Sequence, residues 1–397
     1  RAVQAADPNA TLVGPDRVHP GDPGQLVMAY LILKGAGESG PVGEVDIDAA
    51  AGTPVSAHNC RIEDVRREDV AVRFIYRAGA LPLRDYVPLL EGTVVARRAR
   101  HCCANQIRRA EADDDIDYTL LALELMEQHG NELTTEDVAR AWLNRLPAGA
   151  TWTAERAAYS TLLSRMDDEF VNGAPPGFDI AECAENSCNE WIGAQIRADL
   201  YGWVCPGDPE AAVRLAATDA ALSHKGEGMN GAIYIAALGA LLPIASSIGE
   251  ALDAAVEFIP RDSACADAAR YAMSLGPGEE AVVSLHRRFG DLPPVHTINN
   301  LAIVVWALAN SRTDDFSAAI GNAVMAGWDT DCNGATVGGL MGLSGAEIPA
   351  HWTRPWQGRI GSMLAGLGET SVDAVVSRTL AVAQSLRSEG TRLDRDG

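Results

Sequence analysis

GWDTDCNGATVGGLMG, residues 327–342, decides how the rest of the chain is read. Asp329 and Asp331 flank a hydroxyl residue, and Gly334, Gly338, Gly339 and Gly342 follow on one short segment, with Gly345 just beyond. Acids ahead of a run of small residues read as a helix start, because carboxylates there complement the macrodipole and cap free N–H groups. Glycine inside a helix costs about 1 kcal/mol per residue, so this many glycines need a reason. Close packing of the helix against its neighbours near the protein centre is one. Burying adjacent carboxylates in such a place is prohibitive unless a cation neutralises them. Oxygen ligands in that number suit Mg2+ or Mn2+, which are hard and octahedral.

A second acidic run lies far upstream. Asp113, Asp114 and Asp115 precede TLLALELMEQHG (residues 119–130), a string of helix formers closed by glycine. Taken alone, these acids are a helix N-terminus. Taken with Asp329 and Asp331, they are the other half of a candidate cation site, and Asp117 is expected to stay outside it. Helical signals continue to about Arg387. Thr134 and Asp137 have capping-box spacing, Asp208-Pro209-Glu210 opens another helix, and Asp314-Asp315 opens one that ends at Gly327. The apolar stretch AIYIAALGALLPIASSIG (residues 232–249) is long enough to be tested as a membrane span. Gly239, Pro243, Ser246 and Ser247 interrupt it without an aromatic belt or positive flank, so a buried helix breaking at Pro243 is expected.

Upstream of that helical body the pattern differs. Residues 1–24, rich in Pro, Gly and Asp, read as an extended arm. Residues 25–84 read as a small β-rich module, carried by QLVMAYLIL (25–33), EVDIDA (44–49) and DVAVRFIY (69–76). The helical domain then runs over 85–388, irregular until about 110, and 389–397 read as a frayed polar tail. The fold class is therefore mainly α, a helical bundle with a small β-rich N-terminal region.

Composition narrows the function. With 32 Lys and Arg against 54 Asp and Glu, the net charge is −22, so the basic footprint that nucleic acid requires is missing. Anionic membrane surfaces are disfavoured for the same reason. Eight cysteines in 397 residues form no CxxC pair and no small-scaffold spacing. The first residues lack a charged-then-apolar signal pattern. Reduced thiols in a cytoplasmic protein are the expectation.

The motifs also carry a resemblance. DTDCNGATVGGLMG (329–342) resembles the C-terminal metal motif of the ADP-ribosylglycohydrolase family, usually GGDTDTNA followed by small residues. Asp113-Asp114-Asp115 with Thr119-Leu120 resembles its TDDT motif. NEWIGAQIRAD (189–199), DAALSHKGEG (219–228) and HTINNLAIVVWAL (296–308) fit in the same order, so the resemblance covers roughly residues 85–385. It implies an all-helical ADP-ribosylglycohydrolase-like bundle with two magnesium ions, Mn2+ being a possible substitute. It further implies a hydrolase of the glycosidic bond between ADP-ribose, or a related ribosyl group, and an acceptor. Carried over residue by residue, Asp114 and Asp115 match the paired aspartates, Asp113 stands for the first threonine, and Asp329 and Asp331 match the second motif. Cys332 stands where a threonine ligand is usual, and a thiol is a poor partner for Mg2+. His224, Gly226, Gly228, His296 and Trp328 are the candidate substrate contacts implied. Three of them have a plainer role available: His224 as a helix C-terminal cap, Trp328 as packing, and His296 with Asn299 and Asn300 as structural hydrogen bonding.

One departure matters. The family's N-terminal glycine-rich helix and its water-activating glutamate have no clear counterpart. GPVGEVD (40–46) is a faint echo, which makes Glu44 the only candidate for that acid. The helix is remodelled, or lies outside this sequence, or the protein is catalytically altered. The expected ligand is an ADP-ribose-like small molecule or an ADP-ribosylated acceptor. The rivals are hydrolysis of another small N-ribosyl metabolite, and a non-catalytic binding or structural descendant like the family's lens crystallin relatives. The cysteine reading is checked by thiol titration under denaturing, non-reducing conditions: at least about seven of the eight thiols should react, and fewer would mean a structural disulfide.

Overall fold

The computed structural model describes residues 44–48, 53–58, 60–68, 71–78, 109–312 and 314–396. The expected arm over 1–24, the strand over 25–33 and the irregular stretch ahead of 109 lie outside the described residues. Two antiparallel hairpins come first. β1 (Glu44–Asp48) pairs with β2 (Thr53–His58), and β3 (Cys60–Glu68) with β4 (Ala71–Ala78), from Cys60 opposite Ala78 to Glu68 opposite Ala71 with a register shift between Glu63 and Arg66. β1 and β4 coincide with the alternating runs read from sequence. β2 and β3 do not, because CRIEDVRRE is too charged to show an apolar alternation.

Helices make up the rest, and local chemistry starts and stops most of them. α1 (Asp114–His129) is capped by Asp113, whose side chain accepts from Asp115 N, and ends at Gly130, where φ is 51°. α2 (Thr135–Arg145) opens on a complete Thr134–Asp137 capping box, and α3 (Thr153–Arg165) follows. α4 (Pro209–Ala220) begins with Asp208 as cap and proline in the first turn. α5 (Gly226–Leu241) takes up the long apolar run and stops before Pro243. Then come α6 (Ile248–Ala255), α7 (Ala264–Ser274), α8 (Glu279–Phe289), α9 (Thr297–Ala309), α10 (Phe316–Ala326, capped by Asp315) and α11 (Thr330–Leu343). After the β5 (Arg359–Gly361) and β6 (Glu369–Ser371) hairpin, α12 (Val372–Asp396) carries helical backbone through the expected tail. Among the described residues no helix is long and apolar enough to cross a membrane.

The core explains why α5 and α9 lack an amphipathic stripe. Every residue of α9 from Thr297 to Leu308 is buried, and α5 is buried along most of its length, so helices surround both. The glycines of α11 have their reason here. A Cβ on Gly334 would meet Val324 at 3.1 Å, on Gly338 Ile320 at 3.3 Å, and on Gly339 Trp203 at 3.3 Å. These positions let α11 lie close to α10 and to the short helix Asp199–Val204. Gly342 has no such neighbour, so close packing accounts for only part of the run.

Beside that contact lies Asp199, buried, with Oδ1 lacking a hydrogen-bond partner. Burial pushes its carboxyl up to about 8. Unfolded, the same group ionises near 3.8, so between those values folding takes up a proton and this group's contribution to stability falls as pH rises. Asp199→Asn, neutral throughout, should remove that part of the slope. Its denaturant midpoint relative to the wild type should climb between about pH 4 and about pH 8, and a constant difference would exclude a buried neutral acid.

Candidate metal centre

Two helix N-termini supply the acids. At the start of α1, ligand atoms of Asp113, Asp114 and Asp115 lie within 4.8 Å of one another, and at the start of α11 those of Asp329, Asp331 and Cys332 do the same. The two groups face each other. Asp115 lies in the field of both Asp329 and Asp331, and Asp113 and Asp114 in that of Asp331. Burial, reinforced by these like charges, raises the carboxyl of Asp113, pushes that of Asp114 up to about 7, and raises that of Asp115 well above its usual range. The Cys332 thiol is likewise driven far up, by burial first and the surrounding carboxylates second, so it stays a neutral thiol.

The surrounding bonds hold both N-termini in place. Ahead of α1, Ala110 N donates to Arg359 O at 2.8 Å and Gly361 N to Ala110 O at 2.7 Å, tying the approach to β5. Asp117 accepts from Ser362 Oγ at 2.5 Å and from Met363 N at 3.0 Å, so its carboxylate is engaged away from the cluster. On the other side Asn300 is the pivot. Its Oδ1 accepts from Asp329 N at 3.1 Å and Asn333 Nδ2 at 2.8 Å, while its Nδ2 donates to His296 O at 2.8 Å.

The donor set suits a hard divalent cation. It is almost all carboxylate oxygen, and Asp115 Oδ1 is buried with no hydrogen-bond partner, as is the hydroxyl of Thr330. The neutral thiol of Cys332 adds little. A groove of about 310 Å³ opens beside Asp331, between α10, α11 and Trp352.

The remaining candidates lie on other segments of the chain. His224 is fully buried, with Nδ1 2.8 Å from Ser223 Oγ, and burial beside Arg197 holds its ring well below the usual histidine range, hence neutral. Gly226 and Gly228 pack on the preceding segment, where a Cβ would meet Glu190 Oε1 at 2.4 Å and Asn189 O at 2.3 Å. His296 caps α9 through Nδ1, and its Nε2 is 3.9 Å from Glu190 Oε2. Trp328 is 9% exposed and stacks on His286, with ring centroids 4.1 Å apart. Its φ of 57° is left-handed, a conformation that costs a bulky residue on the order of 1–3 kcal/mol. Glu44 begins β1, and its side chain lies outside the described residues.

The family model described as ADP-ribosylglycohydrolase matches residues 49–389. The chain belongs to the ADP-ribosylglycohydrolase family. The match starts well before residue 85, where the motif resemblance begins, and so takes in β2, β3 and β4. No curated protein matches the chain. Membership makes it a glycohydrolase-type enzyme of a family that is typically metal-dependent and suggests ADP-ribose-type substrates.

The chain also contains a charge network that sequence reasoning missed. Arg197, 2% exposed, donates from Nη1 to Glu155 Oε1 at 2.7 Å and from Nη2 to Ser223 Oγ at 2.9 Å, and pairs through Nε with Asp219. Tyr201 donates to the other oxygen of Asp219 at 2.7 Å. The network adjoins the acidic centre, since the field of Glu155 acts on Asp114. Arg197 and Asp219 both sit inside motifs quoted above, and a lone arginine amid apolar residues was the available signal. Arg197→Met would strand two buried carboxylates without a counter-charge, so it should cost about 3–5 kcal/mol in chemical denaturation. A loss below about 1 kcal/mol would mean that the network does not hold the helices together.

Proposed function

We propose that the chain hydrolyses an ADP-ribosyl or closely related ribosyl glycosidic bond, with two Mg2+ ions held by Asp113, Asp114, Asp115, Asp329 and Asp331. One observation carries this reading: two carboxylate clusters, far apart in sequence, face each other in a half-buried place, and neither cluster contains a counter-charge. Mn2+ would substitute, since both ions take oxygen ligands in octahedral geometry. Bound there, the ions supply a positive anchor for the ribose hydroxyls and a polarised water.

The chain's own residues contribute the rest. Carboxylates around the ribose stabilise positive charge as the bond to the acceptor breaks and the sugar becomes oxocarbenium-like. Asn300 and the cap of α1 keep the carboxylates oriented, so little reorganisation is needed. The groove beside Asp331 offers room for a substrate without cationic side chains in its lining. Glu44 is the candidate for the acid that takes the water's proton.

Isothermal titration of Mn2+ tests the reading. Asp329→Asn and Asp331→Asn keep the shape but remove a ligand charge, so each should bind at least about tenfold more weakly and lose metal-dependent hydrolysis of ADP-ribosylated substrate. Asp117→Asn weakens the tie to residues 362–363, so it should lower stability while leaving the affinity unchanged. Equal affinity in the wild type and all three variants would sink the metal centre. Retained metal binding without any ADP-ribose-dependent thermal shift would instead point to another ligand.

A further inference from the structure

We infer that His286 is a positioning residue for the acidic centre, holding the left-handed corner that delivers Asp329 and Asp331, an inference that rests on the metal-centre reading above. α10 ends at Ala326 and α11 begins at Thr330. The chain turns between them through Gly327 at φ 89° and Trp328 at φ 57°. Glycine adopts such a conformation freely, but a bulky residue keeps it only where its surroundings over-determine it.

His286, in the last turn of α8, grips the corner on both sides of Gly327. Its Nε2 lies 2.6 Å from Ala326 O, and because a carbonyl can only accept, the ring carries its proton there and donates it. The same imidazole stacks on the Trp328 indole with 29° between the planes. α8 is itself immobilised by Val282, Leu285 and Phe289, all buried. On the far side of the corner, Asp329 N is tied to Asn300 Oδ1. The residues from 326 to 329 are therefore clamped between α8 and α9, and the clamp ends on the first acid of the cluster. Releasing the α8 side would let Trp328 relax toward negative φ, rotating the peptide planes that lead into Asp329.

The test uses the full chain and Mn2+ alone, titrated calorimetrically into the wild type, His286→Ala, His286→Phe, His286→Gln and the exposed control Arg287→Ala. Phe keeps the ring and loses the donor, whereas Gln keeps a donor near the position of Nε2. His286→Ala and His286→Phe should bind Mn2+ about tenfold more weakly, and His286→Gln should recover to within about threefold of the wild type. Arg287→Ala should bind as the wild type does. A His286→Phe variant with wild-type affinity, or a His286→Gln variant as weak as His286→Ala, would overturn the inference, since the ring would then only fill space. If His286→Ala fails to fold, the Phe and Gln variants decide, because both occupy the volume of the imidazole. A wild type that takes up no Mn2+ overturns the metal centre and this inference together. A wild type that binds, with the Phe variant equal to it, overturns this inference alone.

Discussion

Carboxylates at the starts of α1 and α11 repel one another across a half-buried gap, and much of the surrounding structure keeps them there despite it. A helix N-terminus offsets part of that repulsion through its free N–H groups, as when Asp115 N donates to Asp113 at 3.1 Å. The macrodipole is too weak to neutralise three consecutive acids facing two more. Left to themselves, the groups respond by holding protons, which is why burial raises Asp113, Asp114 and Asp115 together. A divalent cation bound there would reverse the balance by turning the same charges into ligands.

Among the described residues, the ties that hold the two N-termini are hydrogen bonds from backbone, amide and hydroxyl groups. Ala110 is bonded into the β5 hairpin, Asn300 spans His296, Asp329 and Asn333, and Asp117 is bonded to the segment after β5. None of these bonds adds positive charge to the centre. The network around Arg197 is built the other way. There a guanidinium is shared by Glu155 and Asp219, with hydroxyls of Ser223 and Tyr201 completing the bonding and the rings of Trp142 and Tyr118 lying 5.3 and 5.8 Å from its carbon. Charges that balance internally need no ion, and such a network joins α3, α4 and the segment leading to Asp199. His224 sits beside it as a neutral ring, because full burial disfavours its charged form and the neighbouring guanidinium adds to that cost.

Much of this was legible in the chain itself, because it depends on short-range chemistry. Helix starts at Thr134, Asp208 and Asp315 follow from side chains that bond to backbone N–H groups within the next turn. The stop of α5 follows from Pro243, and the two acidic clusters from adjacent residues. Their likeness to the motifs of one family also named the fold. Only tertiary structure decided which glycines of α11 touch a neighbour, that Trp328 turns its face to His286, and that Arg197 pairs with Glu155 and Asp219. It also decided that Asn300 is a structural pivot and that β2 and β3 pair despite their charged sequences. The physical reason is one of range: capping and breaking are settled within about one helical turn. A buried charge or a strained φ is tolerable only if partners arrive from elements distant in sequence, and no local pattern specifies those.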